Sequence, residues 1–170
     1  MLTTNATARV RLSPQRPVRD TLQLMVTLIH KRRDNRAVRD VALRATEGCP
    51  PQDDRCRMNK IQEWARSTLR YERDPRGGEL IHDPVDTLGR IGSTGVAAGD
   101  CDDGAVLVST MLESLGIRTR LTAVSLRRDR RLHHVAVEAR DQAGRWWYVD
   151  PFLSRAAALP TFTRLMRVSV

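Results

Sequence analysis

The chain has 170 residues, 41% of them hydrophobic, and carries a formal net charge of +9. This length suits one folded domain, and the hydrophobic content excludes a wholly disordered chain. The charge comes almost entirely from scattered arginines, aromatic residues make up only 4% of the chain, and no nucleic-acid-binding motif occurs. We therefore predict a solvated basic surface or an acidic partner in preference to nucleic acid, which stays as a third interpretation.

Residues 1–18 are rich in Thr, Arg and Pro, which predicts a flexible or extended arm ahead of a single domain at 19–170. The N-terminus has no apolar signal segment, and no apolar run is long enough to span a membrane. These absences predict a cytoplasmic protein without a membrane partner.

Amphipathic spacing of apolar residues predicts three helices, at 20–32, at 35–45 and from Asp53 or Asp54 to about Arg70. Cys49 and Cys56 lie in the connection between the second and third helices. They could pair in an oxidising compartment, but without a signal segment we predict free thiols. A zinc site on these two cysteines would need two more ligands, and only distant histidines are available.

Segment 71–99 contains many prolines and glycines, and we predict a long functional loop there. After Gly116 the pattern changes to short β-branched and aromatic segments. They predict an antiparallel meander with strands at 117–126, 132–140 and 145–149. Helices followed by strands indicate an α+β fold, with the helix that precedes Gly116 packed on the sheet.

The segment Gly99-Asp100-Cys101-Asp102-Asp103-Gly104-Ala105 begins that helix. Asp100 is a suitable N-cap, which makes Cys101 the first helical residue and places its sulfur at the positive end of the helix dipole. The three aspartates oppose the dipole because they raise the pKa of the thiol. A nearby imidazolium would therefore be needed to hold the thiolate.

His133 and His134 are adjacent, so their side chains point to opposite faces of a strand. Segment 141–144 fits a three-residue hairpin loop with a bulge at Gly144, which would pair Ala136 with Asp150. This register places His134 on the face of Asp150, whereas a two- or four-residue loop would favour His133. We predict that Cys101, His134 and Asp150 are the catalytic residues of thiol-based acyl chemistry.

A metal site built from Cys101, His134 and Asp150 is the competing interpretation. It lacks a fourth ligand and the close ligand spacing of zinc motifs. We predict neither a metal nor an organic cofactor.

At these residues the chain resembles the transglutaminase-like superfamily, especially its short bacterial and phage members with Gly-Asp-Cys-Asp-Asp. The resemblance covers about 61–152 and includes the sequences at 71–75, 99–105, 115–120, 134–138 and 147–151. It implies a papain-like α+β fold. It also implies that Cys101 is the nucleophile, His134 the general base and Asp150 the residue that orients it.

Two departures from the family pattern concern the reaction. Asp102 stands where the larger eukaryotic cross-linking enzymes carry tryptophan, and Ala136 stands where many members of the family do. The chain is also too short for the additional β domains and calcium sites of the cross-linking enzymes. The resemblance therefore implies hydrolysis at least as much as cross-linking of a peptide or protein substrate.

The resemblance also implies a phage or virion context, with phage structural proteins as partners. The alternative function is a structural or assembly protein of a phage tail or virion that keeps the fold without turnover. The second oxyanion donor stays open between Tyr71 and Gln62.

Overall fold

The computed structural model describes residues 9–12, 18–74, 79–125, 132–152 and 165–170. The helices in these ranges are α1 (Val18–Arg32), α2 (Arg36–Ala45), α3 (Asp54–Thr68), α4 (Pro84–Thr94) and α5 (Cys101–Ser114). The strands are β1 (Arg9–Leu12), β2 (Leu69–Tyr71), β3 (Glu79–His82), β4 (Ala97–Gly99), β5 (Thr119–Val124), β6 (His134–Arg140), β7 (Trp146–Val149) and β8 (Leu165–Ser169). This composition confirms the predicted α+β class, with an antiparallel sheet as its main sheet.

Helix α5 is the central element of the core. Nearly all of its side chains are buried, and it packs against strand β6 and against helices α1, α2 and α3. Val106, Leu107, Met111 and Leu112 are completely inaccessible to solvent. Burial on several sides holds the helix firmly, so its first residue has a fixed position relative to the sheet.

Helices α1 to α3 match the predicted helices to within two residues at each end. Asn35 caps α2 by accepting hydrogen bonds from the Ala37 and Val38 amides, and Asp53 caps α3 through the Cys56 amide. None of the described helices has both the length and the apolar character needed to cross a membrane.

The prediction that Cys49 and Cys56 are free thiols is wrong. The two cysteines form a disulfide, with their Cα atoms 5.7 Å apart. The turn between α2 and α3 reverses the chain, which brings the two side chains together despite their separation in sequence. Cys101 is therefore the free cysteine of the chain.

The predicted long loop at 71–99 is also wrong, because this segment contains β3, α4 and β4. Pro84 lies in the first turn of α4, where its missing N–H costs nothing, and Asp83 caps the helix through the Val85 amide. Arg32 donates two hydrogen bonds to the Asp83 carboxylate, at 2.7 and 2.6 Å, and so joins α1 to the start of α4.

Strands β5 to β8 form one antiparallel sheet in the order β7-β6-β5-β8. The hairpin between β6 and β7 has the predicted register: Val137 pairs with Val149, and the Asp141 amide donates to the Arg145 carbonyl oxygen. Gly144 has a φ of 82°, as the predicted bulge requires. Strand β8 was not predicted.

Part of the predicted arm is described. Strand β1 pairs antiparallel with β3, with Val10 opposite Ile81, and α1 already begins at Val18. The remaining arm positions, 1–8 and 13–17, lie outside the described residues.

Candidate active site

The first turn of α5 is fixed by two aspartates that form a capping box. The Asp102 amide donates to the Asp100 carboxylate over 3.0 Å, and the Asp103 carboxylate accepts from the Asp100 amide over 3.3 Å. Cys101 is therefore the first residue of the helix, as the sequence predicts.

Two glycines of the motif allow close approach of other groups. A Cβ atom at Gly99 would lie 2.5 Å from the Asp103 carboxylate, which folds back over this position. A Cβ atom at Gly104 would lie 2.6 Å from the Phe152 ring and 3.0 Å from Pro151. Gly104 thus lets the segment that follows β7 pack directly on the first turn of α5.

His134 and Asp150 are brought together by the β6–β7 hairpin. His134 Nε2 is hydrogen-bonded to Asp150 Oδ2. The Asp150 carboxylate also accepts from the Tyr148 hydroxyl at 3.3 Å and from the Phe152 amide at 2.8 Å. Asp150 is 1% exposed, so its orientation is set by these three donors.

Cys101 and His134 line the same open cavity, which has a volume of about 320 Å³. The Val135 amide, next to His134 in the chain, lies within hydrogen-bonding reach of the Cys101 sulfur and lowers the pKa of the thiol. The nucleophile candidate on α5 therefore faces the beginning of β6. Exposed His133 also lines this cavity, although the sequence predicted that it faces the opposite side.

The electrostatic surroundings of Cys101 favour the protonated thiol. Burial raises its pKa most, the charges of Asp102 and Asp100 raise it further, and the Val135 amide opposes them only in part. The thiol donates to Asp102 Oδ1 over 3.6 Å. The predicted repulsion by neighbouring aspartates is therefore present, and it adds to the larger effect of burial.

The neighbouring carboxylates also raise the pKa of Asp100. Burial, followed by the charges of Asp103 and Asp74, raises the pKa of Asp100 to about 7. Asp100 therefore exchanges a proton near neutral pH, unlike an ordinary carboxyl group.

Tyr71 is the better placed of the two predicted oxyanion donors. Its backbone pairs with Gly99 across the parallel β2–β4 ladder, and its ring packs edge-on against Phe152 at 5.2 Å between centroids. Tyr71 lines the cavity, and burial together with the charge of Cys101 raises the pKa of its hydroxyl. Gln62 is buried in α3 and is not among the residues that line the cavity.

The donor atoms of Asp100, Cys101 and Asp102 lie within 4.8 Å of one another. This cluster differs from the competing metal site of the sequence analysis, since it contains neither His134 nor Asp150. Two carboxylates beside one thiol do not match the nitrogen-and-sulfur ligand sets typical of protein zinc sites.

Sequence reasoning missed a second histidine–aspartate pair at the same helix end. His82 Nδ1 lies 2.8 Å from Asp103 Oδ2, and the His82 amide donates to Asp103 Oδ1, also over 2.8 Å. The available signal was the apolar Leu80-Ile81 directly before His82, which is typical of a short buried strand. Because segment 71–99 was predicted to be a loop, the strand that contains His82 was overlooked.

Comparison with known proteins adds family information to this geometry. The family model described as the transglutaminase-like superfamily matches residues 39–151, more than half of the chain. No match was found among curated protein sequences.

Two solved structures are similar in fold. A "putative protease" from Parabacteroides distasonis ATCC 8503 has 18% identity and a TM-score of 0.57, over 76% of this chain and 26% of that one. A "putative cysteine protease" from Cytophaga hutchinsonii has 15% identity and a TM-score of 0.52, over 95% and 62% respectively. The chain thus spans less than two thirds of either protein.

Proposed function

Since the chain belongs to the transglutaminase-like superfamily, we propose that it is a cysteine-type enzyme that acts on amide bonds of a peptide or protein. The observation that carries the proposal is the hydrogen bond between His134 and Asp150 beside a cavity that also holds the free thiol of Cys101. A nucleophile, a base and a group that orients the base are the components of covalent acyl transfer.

In the proposed reaction, the Cys101 sulfur attacks the carbonyl carbon of the amide while its proton passes to His134. Because His134 Nε2 is engaged by Asp150, Nδ1 is the nitrogen that takes the proton. The carbon–nitrogen bond then breaks, and His134 returns the proton to the leaving amine. Water or another amine attacks the resulting thioester, which gives a carboxylate or a new amide and restores the thiol.

The negative charge that develops on the carbonyl oxygen needs two donors. We assign the Cys101 backbone amide as the first donor, because it lies in the first turn of α5, where amides have no partner within the helix. We assign the Tyr71 hydroxyl as the second, because it lines the cavity and stays protonated over the working pH range.

The raised pKa of Cys101 shapes this mechanism. A thiol that is buried beside Asp102 is protonated at rest, so proton transfer to His134 accompanies the attack on the substrate. Binding of a substrate carbonyl against the helix start would favour that step, because the developing oxyanion and the dipole attract each other.

The test uses p-nitrophenyl acetate as the acyl donor. We expect release of p-nitrophenol and an acetyl group on the Cys101 peptide that hydroxylamine removes. Cys101→Ser should lose this thioester, and His134→Ala should slow its formation about 10²-fold or more. His133→Ala is the matched control, since its neighbour His134 keeps the bond to Asp150.

Two further measurements separate the possible reactions. The products formed with methylamine present, N-methylacetamide or acetate, distinguish transfer from hydrolysis. Incubation with a mixture of unrelated peptides in ¹⁸O-labelled water reports amide cleavage as ¹⁸O in new carboxyl termini. The same label should be missing with Cys101→Ser.

One observation favours a second function, that of a structural or assembly protein of a phage tail or virion. Asp102 and burial hold the thiol in its less reactive form. If the wild-type chain acquires no more acetyl label than Cys101→Ser and cleaves no peptide, the enzyme proposal is wrong and this second function is favoured.

A further inference from the structure

A second cavity, of about 160 Å³, lies beside the β2–β4 ladder. Its lining includes His82 at the end of β3, Arg90 on α4, Asp74 after β2 and Asp103 on α5. It shares no lining residue with the cavity that contains Cys101. It is therefore a separate depression: Gly99 lines it, whereas the next residue, Asp100, lines the cavity that contains Cys101.

Two buried polar atoms in this lining have no hydrogen-bond partner among the described residues. They are His82 Nε2 and Arg90 Nη2, each screened from solvent. The His82 side chain is only 10% exposed. Buried polar groups in folded proteins are nearly always satisfied by protein, ordered water or a ligand, so each of these two atoms has a hydrogen bond to offer.

The hydrogen-bonding role of His82 Nε2 follows from the contact that the other ring nitrogen, Nδ1, makes with Asp103. The Asp103 carboxylate accepts from the His82 amide and contacts His82 Nδ1. Because a carboxylate accepts, Nδ1 carries a proton, and whenever the ring is neutral Nε2 offers a lone pair. Arg90 can only donate. The cavity thus presents one acceptor and one donor to its occupant.

The charges around the cavity argue against a charged occupant. The lining contains two basic residues, Arg73 and Arg90, and three acidic ones, Glu72, Asp74 and Asp103. An anion would meet these three acids, and a cation would leave the Arg90 donor without an acceptor. A neutral group avoids both costs.

We propose that this cavity binds a carboxamide group of a ligand, whose carbonyl oxygen accepts from Arg90 and whose N–H donates to His82. An amide carries one strong acceptor and one strong donor on a small planar neutral group, and so complements both atoms. The proposal goes beyond the catalytic function, because it involves neither Cys101 nor His134.

The experiment titrates the full-length ¹⁵N-labelled protein with three probes of equal size, namely propionamide, propionate and propylammonium. The imidazole ¹⁵N resonances of His82 and His134 are followed separately. We expect a saturable change of the His82 Nε2 resonance with propionamide and a change at least tenfold smaller with the two charged probes. The His134 resonances report any binding at the other cavity.

Two variants complete the test. Arg90→Gln should weaken propionamide binding at His82 at least tenfold, whereas Arg36→Gln, a change at an exposed arginine of α2, should leave it unchanged. Circular dichroism of both variants verifies that the fold is retained. The His82 readout is independent of turnover, so it can succeed or fail whatever the outcome at Cys101.

Three results would each overturn the proposal. The first is a His82 response to propionate or propylammonium as strong as that to propionamide. The second is unchanged affinity in Arg90→Gln. The third is the absence of saturable binding by any probe, which would mean that the cavity holds solvent only.

Discussion

Tyr71 connects the two halves of the candidate site through its aromatic ring. The ring packs on Phe152, which follows Asp150, and the Tyr71 backbone is paired with Gly99, two residues before Cys101. These contacts place the ring at the cavity that also contains Cys101, with 55% of Tyr71 exposed to solvent. A hydroxyl that borders the cavity is accessible to a substrate carbonyl, as an oxyanion donor must be.

Replacing Tyr71 by Phe should therefore lower the rate of Cys101 acylation by p-nitrophenyl acetate about 10²-fold, the usual effect of losing one oxyanion donor. The ring and its contact with Phe152 are retained, so the fold should not change. Alkylation of Cys101 by iodoacetamide forms no oxyanion and serves as the control. A parallel fall in both rates would mean that Tyr71 acts on the thiol and not on the carbonyl oxygen.

Replacing Asp102 should change the pKa of the Cys101 thiol in one direction. Its carboxylate raises the pKa of the Cys101 thiol, so Asp102→Asn should lower that pKa and increase the thiolate fraction at any pH below it. The rate of iodoacetamide alkylation, measured from pH 6 to 10, should rise at lower pH in the variant than in the wild type.

The Asp40→Asn change on α2, at a half-exposed carboxylate that pairs with Arg36, is the matched control for Asp102→Asn and should reproduce the wild-type profile. An alkylation profile of Asp102→Asn shifted to higher pH would show that Asp102 does not act through its charge.

Among the elements, the sheet contains a buried ion cluster on its three neighbouring strands β6, β5 and β8. Glu138 is fully buried and accepts from Arg120, and its two oxygens each accept from Arg167 at 2.9 Å. Despite the opposing effect of burial, these hydrogen bonds lower the pKa of Glu138. The cluster joins β8, the last strand in the chain, to the centre of the sheet.

Glu138→Gln should lower the free energy of unfolding at pH 7 by about 2 to 3 kcal/mol. This lies near the lower end of the cost of breaking a buried pair, because both arginines are partly exposed and keep water contacts. Urea titration measures the loss, and Glu63→Gln on the exposed face of α3 is the control.

The pH dependence of the Glu138 contribution follows from its lowered pKa. The contribution is complete above the unfolded value of about 4.3 and is lost as the pH falls through the lower folded value. The difference in stability between wild type and Glu138→Gln should therefore shrink below about pH 4. A difference that stays constant with pH would contradict an ionic contribution.

An element can be predicted from the sequence when the interactions that determine it join residues close together in the chain. The α5 cap and the β6–β7 register depend on Asp100, Gly144 and their near neighbours, and both are predicted correctly. Helix α4 was missed because Gly89 and Gly92 weaken its local signal, and its stability comes from tertiary contacts such as Arg32 with Asp83. The His82–Asp103 pair likewise depends on residues that only the fold brings together.

For the whole molecule, the Cys49–Cys56 disulfide makes the free energy of unfolding depend on the redox state of the solution. Disulfides persist in oxidising compartments and are rare in reducing cytoplasm. The bond between Cys49 and Cys56 is therefore expected to stay intact under oxidising conditions and to open under reducing ones.

Removing the disulfide should lower stability by about 2 kcal/mol, the value for so short a closed loop. Dithiothreitol should then lower Tm by about 5 °C in the wild type. It should have no effect on the Cys49→Ala/Cys56→Ala double variant. Thiol titration of the denatured chain should give one thiol without reductant and three with it. Three thiols in the untreated protein, purified from an oxidising compartment, would contradict the disulfide.

The contact between Gly104 and Phe152 has a consequence for how the proposed reaction could be studied. The proposed nucleophile lies on α5 and the proposed base at the start of β6, and at Gly104 the helix meets the segment that follows β7 with no side chain of its own in between. Alanine and then serine at position 104 would act as spacers of increasing thickness, while Cys101, His134 and Asp150 all stay in the chain. In this series the rate of acyl transfer could be measured as a function of the distance between the Cys101 thiol and the His134 imidazole.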